Sequence, residues 1–156
     1  MGTTGAGKTT IGKLLAQQLG WVFLDADDFH PAANIEKMKK GIPLTDADRV
    51  PWLAAIHAEL VRQSEAGKNC VLACSALKKA YRDTLGARLE MKVVYLKGSY
   101  EEMKKHILAR HGHFAGEQIL ASQFANLEEP EGGVTVEIAR TPQQIVAEIR
   151  EKLGLA

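Results

Sequence analysis

Residues Gly2-Thr3-Thr4-Gly5-Ala6-Gly7-Lys8-Thr9 place glycines, a lysine and a hydroxyl at the spacing G-x-x-x-x-G-K-[ST]. Glycine permits the tight turns that aim successive main-chain N–H groups at one anion. A helical pattern begins at Lys8, so a helix N-terminus adds its dipole at the same point. The Lys8 ammonium can then reach the β- and γ-phosphates of a nucleotide, and the Thr9 hydroxyl can ligate Mg²⁺. A plain glycine turn before a helix is the alternative, but it does not call for four fixed positions at this spacing. The expected chemistry is binding of a nucleoside triphosphate.

Further chemistry-bearing residues follow the apolar runs. Asp25, Asp27 and Asp28 stand at and just beyond the end of "WVFLD", and ligands of open parallel sheets gather at the carboxyl ends of strands. One carboxylate there can hold the water shell of Mg²⁺ and another can accept a proton from an attacking hydroxyl. At least one of the three is expected instead to cap the next helix. Basic residues recur in the same way: Arg49, then Lys78, Lys79 and Arg82. Lys78 and Arg82 are four apart on a helical pattern and can converge on one anion, or line a solvated face. Arg110 lies at a helix end beside Gly112 and Gly116, where a closing lid would bring a cation to the transferring phosphoryl group. His111 and His113 lack cysteine or carboxylate neighbours and make a poor metal set.

The elements that must position these groups can be read from periodicity and caps. A helix is expected over Lys8–Leu19, stopped by Gly20. Strands are expected at Trp21–Asp25, Cys70–Cys74, Lys92–Leu96 and Val134–Ile138. Between them, helices are expected at Asn34–Lys39, from Thr45 to Ala66, from Ser99 to about Arg110, over Glu117–Asn126, and after Thr141-Pro142-Gln143-Gln144. Thr45-x-x-Asp48, Ser99-x-x-Glu102 and Thr141-x-x-Gln144 resemble reciprocal caps, and Glu101–Lys105 is a supporting pair. Strands alternating with helices predict an α/β fold around a mostly parallel sheet.

The chain has 156 residues, which predicts a single domain spanning 1–156 with one substantial core. A net charge of +1 provides no basic field for nucleic acid. No apolar run long enough to span a membrane and no signal segment is apparent, so a cytoplasmic protein is expected. Cys70 and Cys74, roughly 13 Å apart if on one strand, are beyond disulfide reach and read as core thiols. No guanine-reading N-K-x-D stretch occurs, and a small kinase with a lid suits this length best.

Together, "GAGKT", "DADDFHP", "NIEKM" through "DRVPW", "ACSALKKAYRD", "GHF" and "QFANLEEP" resemble the gluconate kinases. These are small P-loop sugar-acid kinases related to shikimate and nucleoside-monophosphate kinases. The resemblance implies a P-loop kinase fold: a five-stranded parallel sheet flanked by helices, a small lid (here about 110–128) and often a homodimer. It implies ATP and Mg²⁺ as cofactors and phosphorylation of D-gluconate at its C6 hydroxyl. Mapped here, Lys8 and the amides of Thr4, Gly5, Ala6, Gly7, Lys8, Thr9 and Thr10 bind the phosphates. Thr9 and Asp25 hold the metal, and Asp27 orients or deprotonates the acceptor. Arg49, Lys78 and Arg82, with His30 and His113, contact gluconate, and Arg110 is the lid cation. An arginine with a nearby lysine suits a small carboxylate. The rivals are another acceptor such as shikimate, or a nucleotide-binding protein without catalysis.

The resemblance departs at the start, because the family carries an apolar strand before the phosphate loop and this sequence begins with Met1 before the first glycine. The strand is either absent from this sequence by truncation or replaced by another segment or a partner chain; if the chain has only four strands, a distorted or mobile phosphate loop and weak or no activity are expected.

Overall fold

A computed structural model describes residues 1–111 and 114–155. Helix α1 (Lys8–Leu19) starts where Gly7, at φ 87°, turns the chain out of the glycine loop. It ends at Gly20, whose left-handed backbone closes onto the Ala16 and Gln17 carbonyls. Strand β1 (Val22–Asp25) leads through a 3₁₀ turn (Ala26–Phe29) into α2 (Ala32–Lys39). Thr45 and Asp48 exchange reciprocal bonds and open α3 (Asp46–Glu65). Next come β2 (Cys70–Ala73), α4 (Lys79–Gly86), β3 (Val94–Lys97), α5 (Tyr100–His111) and α6 (Phe114–Asn126). Strand β4 (Val134–Glu137) precedes α7 (Pro142–Leu153), which carries the reciprocal Thr141/Gln144 cap and Pro142 in its first turn.

Most boundaries fall within two residues of those expected, and α6 begins three earlier. Ser99 and Glu102 cap α5 as expected. The ion pair seen on that helix is Lys104–Glu117 at 3.1 Å, which ties α5 to α6. The expected Glu101–Lys105 pair is not among the described ones.

Among the described residues, four strands form two parallel pairs, β1 with β2 and β3 with β4. Met1 and Gly2 stand between the pairs. The Met1 carbonyl accepts from Leu96 N at 2.9 Å, and Gly2 N donates to Ser75 O at 3.3 Å. The phosphate loop is therefore tied to β3 and to the segment after β2 by these main-chain bonds.

The apolar core lies on both faces of the strands. One cluster joins α1, α5 and α7 to β3 and β4 around Leu15, Leu96, Met103, Val136 and Ile149. The other joins α3 and α4 to the segment after β2 around Trp52, Ile56, Cys74 and Leu85. Val71 packs on the first and Leu72 on the second, as alternation along a strand requires. Gly12 lets α1 sit close to the β1–β2 pair: a Cβ there would stand 2.8 Å from the Phe23 ring. That contact seats the phosphate loop over the strand ends. Both cysteines are free, and burial pushes the Cys74 thiol up to about 11, as befits a core thiol.

Candidate active site

Gly5 (φ 86°) and Gly7 (φ 87°) take backbone that L side chains avoid, so the loop can curl. Ala6 N donates to Thr3 O at 3.2 Å, and Lys8 Nζ donates to the same carbonyl at 2.9 Å. Helices far along the chain hold this curl. A Cβ on Gly5 would stand 2.9 Å from Met103 O on α5. His106 Nδ1 lies 2.8 Å from Gly5 O, and because a carbonyl only accepts, that nitrogen carries the proton. Thr4 N donates to Gln123 Oε1 on α6 at 2.6 Å. Sequence reasoning missed both side chains as loop contacts. Gln123 had a signal, lying in "QFANLEEP"; His106 had none.

Beside the loop, Thr9 Oγ1 donates to Asp25 Oδ2 at 3.3 Å, and Asp25 Oδ1 accepts from Asp27 N at 3.0 Å. Asp25 thus caps the 3₁₀ turn and faces the phosphate-loop helix at once, and Asp27 is the next exposed carboxylate. Hydroxyl and carboxylate oxygens are hard donors, and Mg²⁺ takes one or two protein oxygens beside water and phosphate. The Thr9–Asp25 edge fits that requirement. No cluster of three or more His, Cys, Asp or Glu able to cage a metal occurs among the described residues.

A small pocket of about 70 Å³ opens between α3, α4 and α6, lined by Arg49, Lys78, Tyr81, Gln123 and Asn126 among others. Arg49 donates to Tyr81 Oη at 3.3 Å and to Leu44 O at 3.0 Å. Lys78 pairs with Asp46 at 3.3 Å, and Tyr81 donates to the same carboxylate. Both cations flank the Tyr81 ring. The hydrogen bonds from Tyr81 and then Lys78 hold Asp46 below the usual carboxylate range. Asp46 in turn raises Lys78, so this ion pair stays charged on both sides through neutral pH.

Lys78 and Arg82 are not brought together. Lys78 is the residue before α4, whereas Arg82 is 8% exposed and donates to Ala76 O at 2.7 Å and Glu128 O at 2.9 Å. It ties the strained turn at Ala76 (φ 46°) to the segment after α6. Lys79 faces outward, paired with Asp83 at 2.7 Å. His30 stacks on Trp52 with ring centroids 4.5 Å apart, and burial lowers its pKa. It lies near Asn34 Nδ2, which also binds Asp48 O. The side chain of Arg110 and all of His113 lie outside the described residues.

A family model described as shikimate kinase matches residues 4–153. The chain is 43% identical over 174 residues to a "Probable gluconokinase" of Mus musculus, covering 98% of this chain and 95% of that protein. It is 49% identical over 131 residues to a "Gluconokinase" of Gluconobacter oxydans (strain 621H), covering 83% and 74%. The chain belongs to the gluconokinases of the shikimate kinase family. A solved gluconokinase from Sinorhizobium meliloti 1021 superposes at a TM-score of 0.89 with 39% identity, covering 99% of this chain and 89% of that one. A shikimate kinase from Aquifex aeolicus, at 15% identity and a TM-score of 0.57, shares the fold. This gluconokinase-family chain is thus a phosphotransferase with a P-loop kinase fold, in which parallel strands are flanked by helices.

Proposed function

We propose that this chain transfers the γ-phosphoryl group of ATP to the C6 hydroxyl of D-gluconate, releasing 6-phospho-D-gluconate and ADP. One observation carries the reading: in a chain so similar to gluconokinases, a cationic pocket of Arg49 and Lys78 adjoins the phosphate loop through Gln123. A sugar acid needs cations for its carboxylate and hydrogen-bonding groups for its hydroxyls. Arg49 and Lys78 supply the first, and Tyr81, Gln123, Asn126 and His30 the second.

The loop amides from Thr4 to Thr10 and Lys8 bind the ATP phosphates, the Thr4 amide leaving Gln123 Oε1 and the Ala6 amide leaving Thr3 O to do so. Thr9 and Asp25 would hold Mg²⁺, which would supply charge neutralisation to the transferring phosphates. Asp27 receives the proton of the C6 hydroxyl as its oxygen bonds to the γ-phosphorus, and the bond from that phosphorus to the ADP oxygen breaks. Residues 110–128 act as a lid, with Arg110 closing on the transferring group. A single domain over 1–156, a homodimer and a cytoplasmic location belong to the same reading, by likeness to the family.

The test is an ADP-release assay on the folded full chain with gluconate, shikimate and nucleoside monophosphates in turn. Turnover with gluconate and much less with the others is expected. No gluconate-dependent turnover would remove the assignment.

A further inference from the structure

Gln123 stands where the two halves of the site meet. Its Oε1 accepts from Thr4 N at 2.6 Å, and the same side chain lines the small pocket with Arg49, Lys78 and Tyr81. A main-chain N–H only donates, so the carboxamide must show its oxygen to the loop, and Thr4 makes no use of its two Nε2 hydrogens. The backbone beneath this side chain is pinned. Just beyond α6, Glu128 N donates to Leu77 O at 2.8 Å, Lys79 N donates to Glu128 Oε1 at 2.8 Å, and Arg82 donates to Glu128 O at 2.9 Å. The end of α6 is thus fixed to the start of α4, and a change of partner at Gln123 needs only its side-chain torsions.

The ties that hold the phosphate loop respond differently to a phosphate. His106 donates to Gly5 O at 2.8 Å. A carbonyl is no ligand for an anion, so that bond persists when the loop is filled. Thr4 N has a single hydrogen, and Gln123 Oε1 already takes it. A phosphate oxygen on that amide makes a charge-assisted bond, roughly twice as strong as a neutral one, and it repels the partial negative charge of Oε1. The two oxygens compete, and the charged one wins. Position in the loop tells which phosphate competes. Lys8 and Thr9 stand on the first turn of α1. Thr4 precedes them at the far end of the curl, on the side that Gln123 joins to the acceptor pocket. The phosphate nearest the acceptor is the one transferred. Thr4 N therefore faces the terminal phosphate of a triphosphate and no phosphate of a diphosphate.

We propose that Gln123 distinguishes the loaded from the spent nucleotide. With the loop empty or carrying ADP, its Oε1 holds the Thr4 amide. ATP displaces it, and the freed carboxamide turns into the pocket, where it can bond hydroxyls of the acceptor. Once the γ-phosphoryl group has left, the Thr4 bond re-forms and draws the carboxamide back from the product. This role for Gln123 rests on the loop being an ATP site beside an acceptor pocket, whichever acceptor that is.

Binding of Mg-ADP and of Mg-β,γ-imido-ATP to the full chain, without acceptor, is measured by calorimetry. Gln123→Ala removes the competitor of the terminal phosphate alone. It should bind the imido-triphosphate about three- to tenfold more tightly than the parent, and ADP within about twofold of it. Gln123→Glu sets a carboxylate against that phosphate, so it should bind the imido-triphosphate about tenfold or more weakly, with ADP again within about twofold. If Gln123 merely propped the loop, both variants would lose affinity for both nucleotides alike, and that result overturns the proposal. The ¹⁵N-labelled parent gives a reading that no variant's folding can spoil. Its Gln123 side-chain amide signals, assigned through bonds from the backbone, should move with the imido-triphosphate and stay in place with ADP. Signals that move equally with both nucleotides, or with neither, also overturn the proposal. None of these readouts uses turnover, so a chain that fails to phosphorylate gluconate would lose only the acceptor assignment.

Discussion

At the scale of single residues, the proposed function separates side chains that would meet ligands from side chains that hold other side chains. Asp27 is exposed beside the Thr9–Asp25 edge. In Asp27→Asn the acceptor proton has no carboxylate to receive it, so kcat should fall about 10²–10⁴-fold with the Kd for ATP unchanged. Single-turnover kinetics beside ATP titration calorimetry check both halves. Arg49 and Arg82 separate in the same manner. Arg49→Leu removes a pocket cation, and the KM for gluconate should rise about tenfold or more while melting stays near the parent's. Arg82→Met instead leaves two main-chain carbonyls without their donor, so stability should drop by about 2–4 kcal/mol in urea unfolding. The spacing of Lys78 and Arg82 showed that both could lie on one helical face. It could not show that carbonyls of Ala76 and Glu128, 6 and 46 residues away, would take the second guanidinium.

At the scale of elements, local chemistry sets most helix ends. Thr45, Ser99 and Thr141 each cap as their spacing implies, because a cap uses only neighbours in sequence. How closely an element packs is different. Gly12 reads in the sequence as a weak helix residue, yet it lets α1 approach the Phe23 ring. Gly12→Val should push α1 off β1, costing about 1–3 kcal/mol. It should also raise the KM for ATP, because the phosphate loop rides on the first turn of that helix. Urea unfolding and initial-rate kinetics measure the two effects, and an unchanged KM beside lowered stability would separate the loop from the helix below it.

At the scale of the whole molecule, the two strand pairs and two apolar clusters suggest two cooperative units. Leu85→Ala opens the cluster beside α3 and α4, with a cost of about 2–5 kcal/mol. In native-state hydrogen exchange, Ala73, whose amide faces β1, should then speed up more than Val136, whose amide faces β3. Equal acceleration at both would show one unit.

The sequence by itself determined the phosphate loop, the carboxylates after β1, the helix caps and the alternating α/β order. Each of these depends on residue type and on spacing of a few positions. Only the tertiary structure decided that Gln123 and His106 hold the loop, that Arg82 ties Ala76 to Glu128, and that Met1 and Gly2 bind β3 and the segment after β2. Apart from the Arg82–Ala76 bond, those contacts join residues 46 to 119 positions apart, and the shape of the packed core, which sequence periodicity does not encode, selects among the many pairings such distances allow.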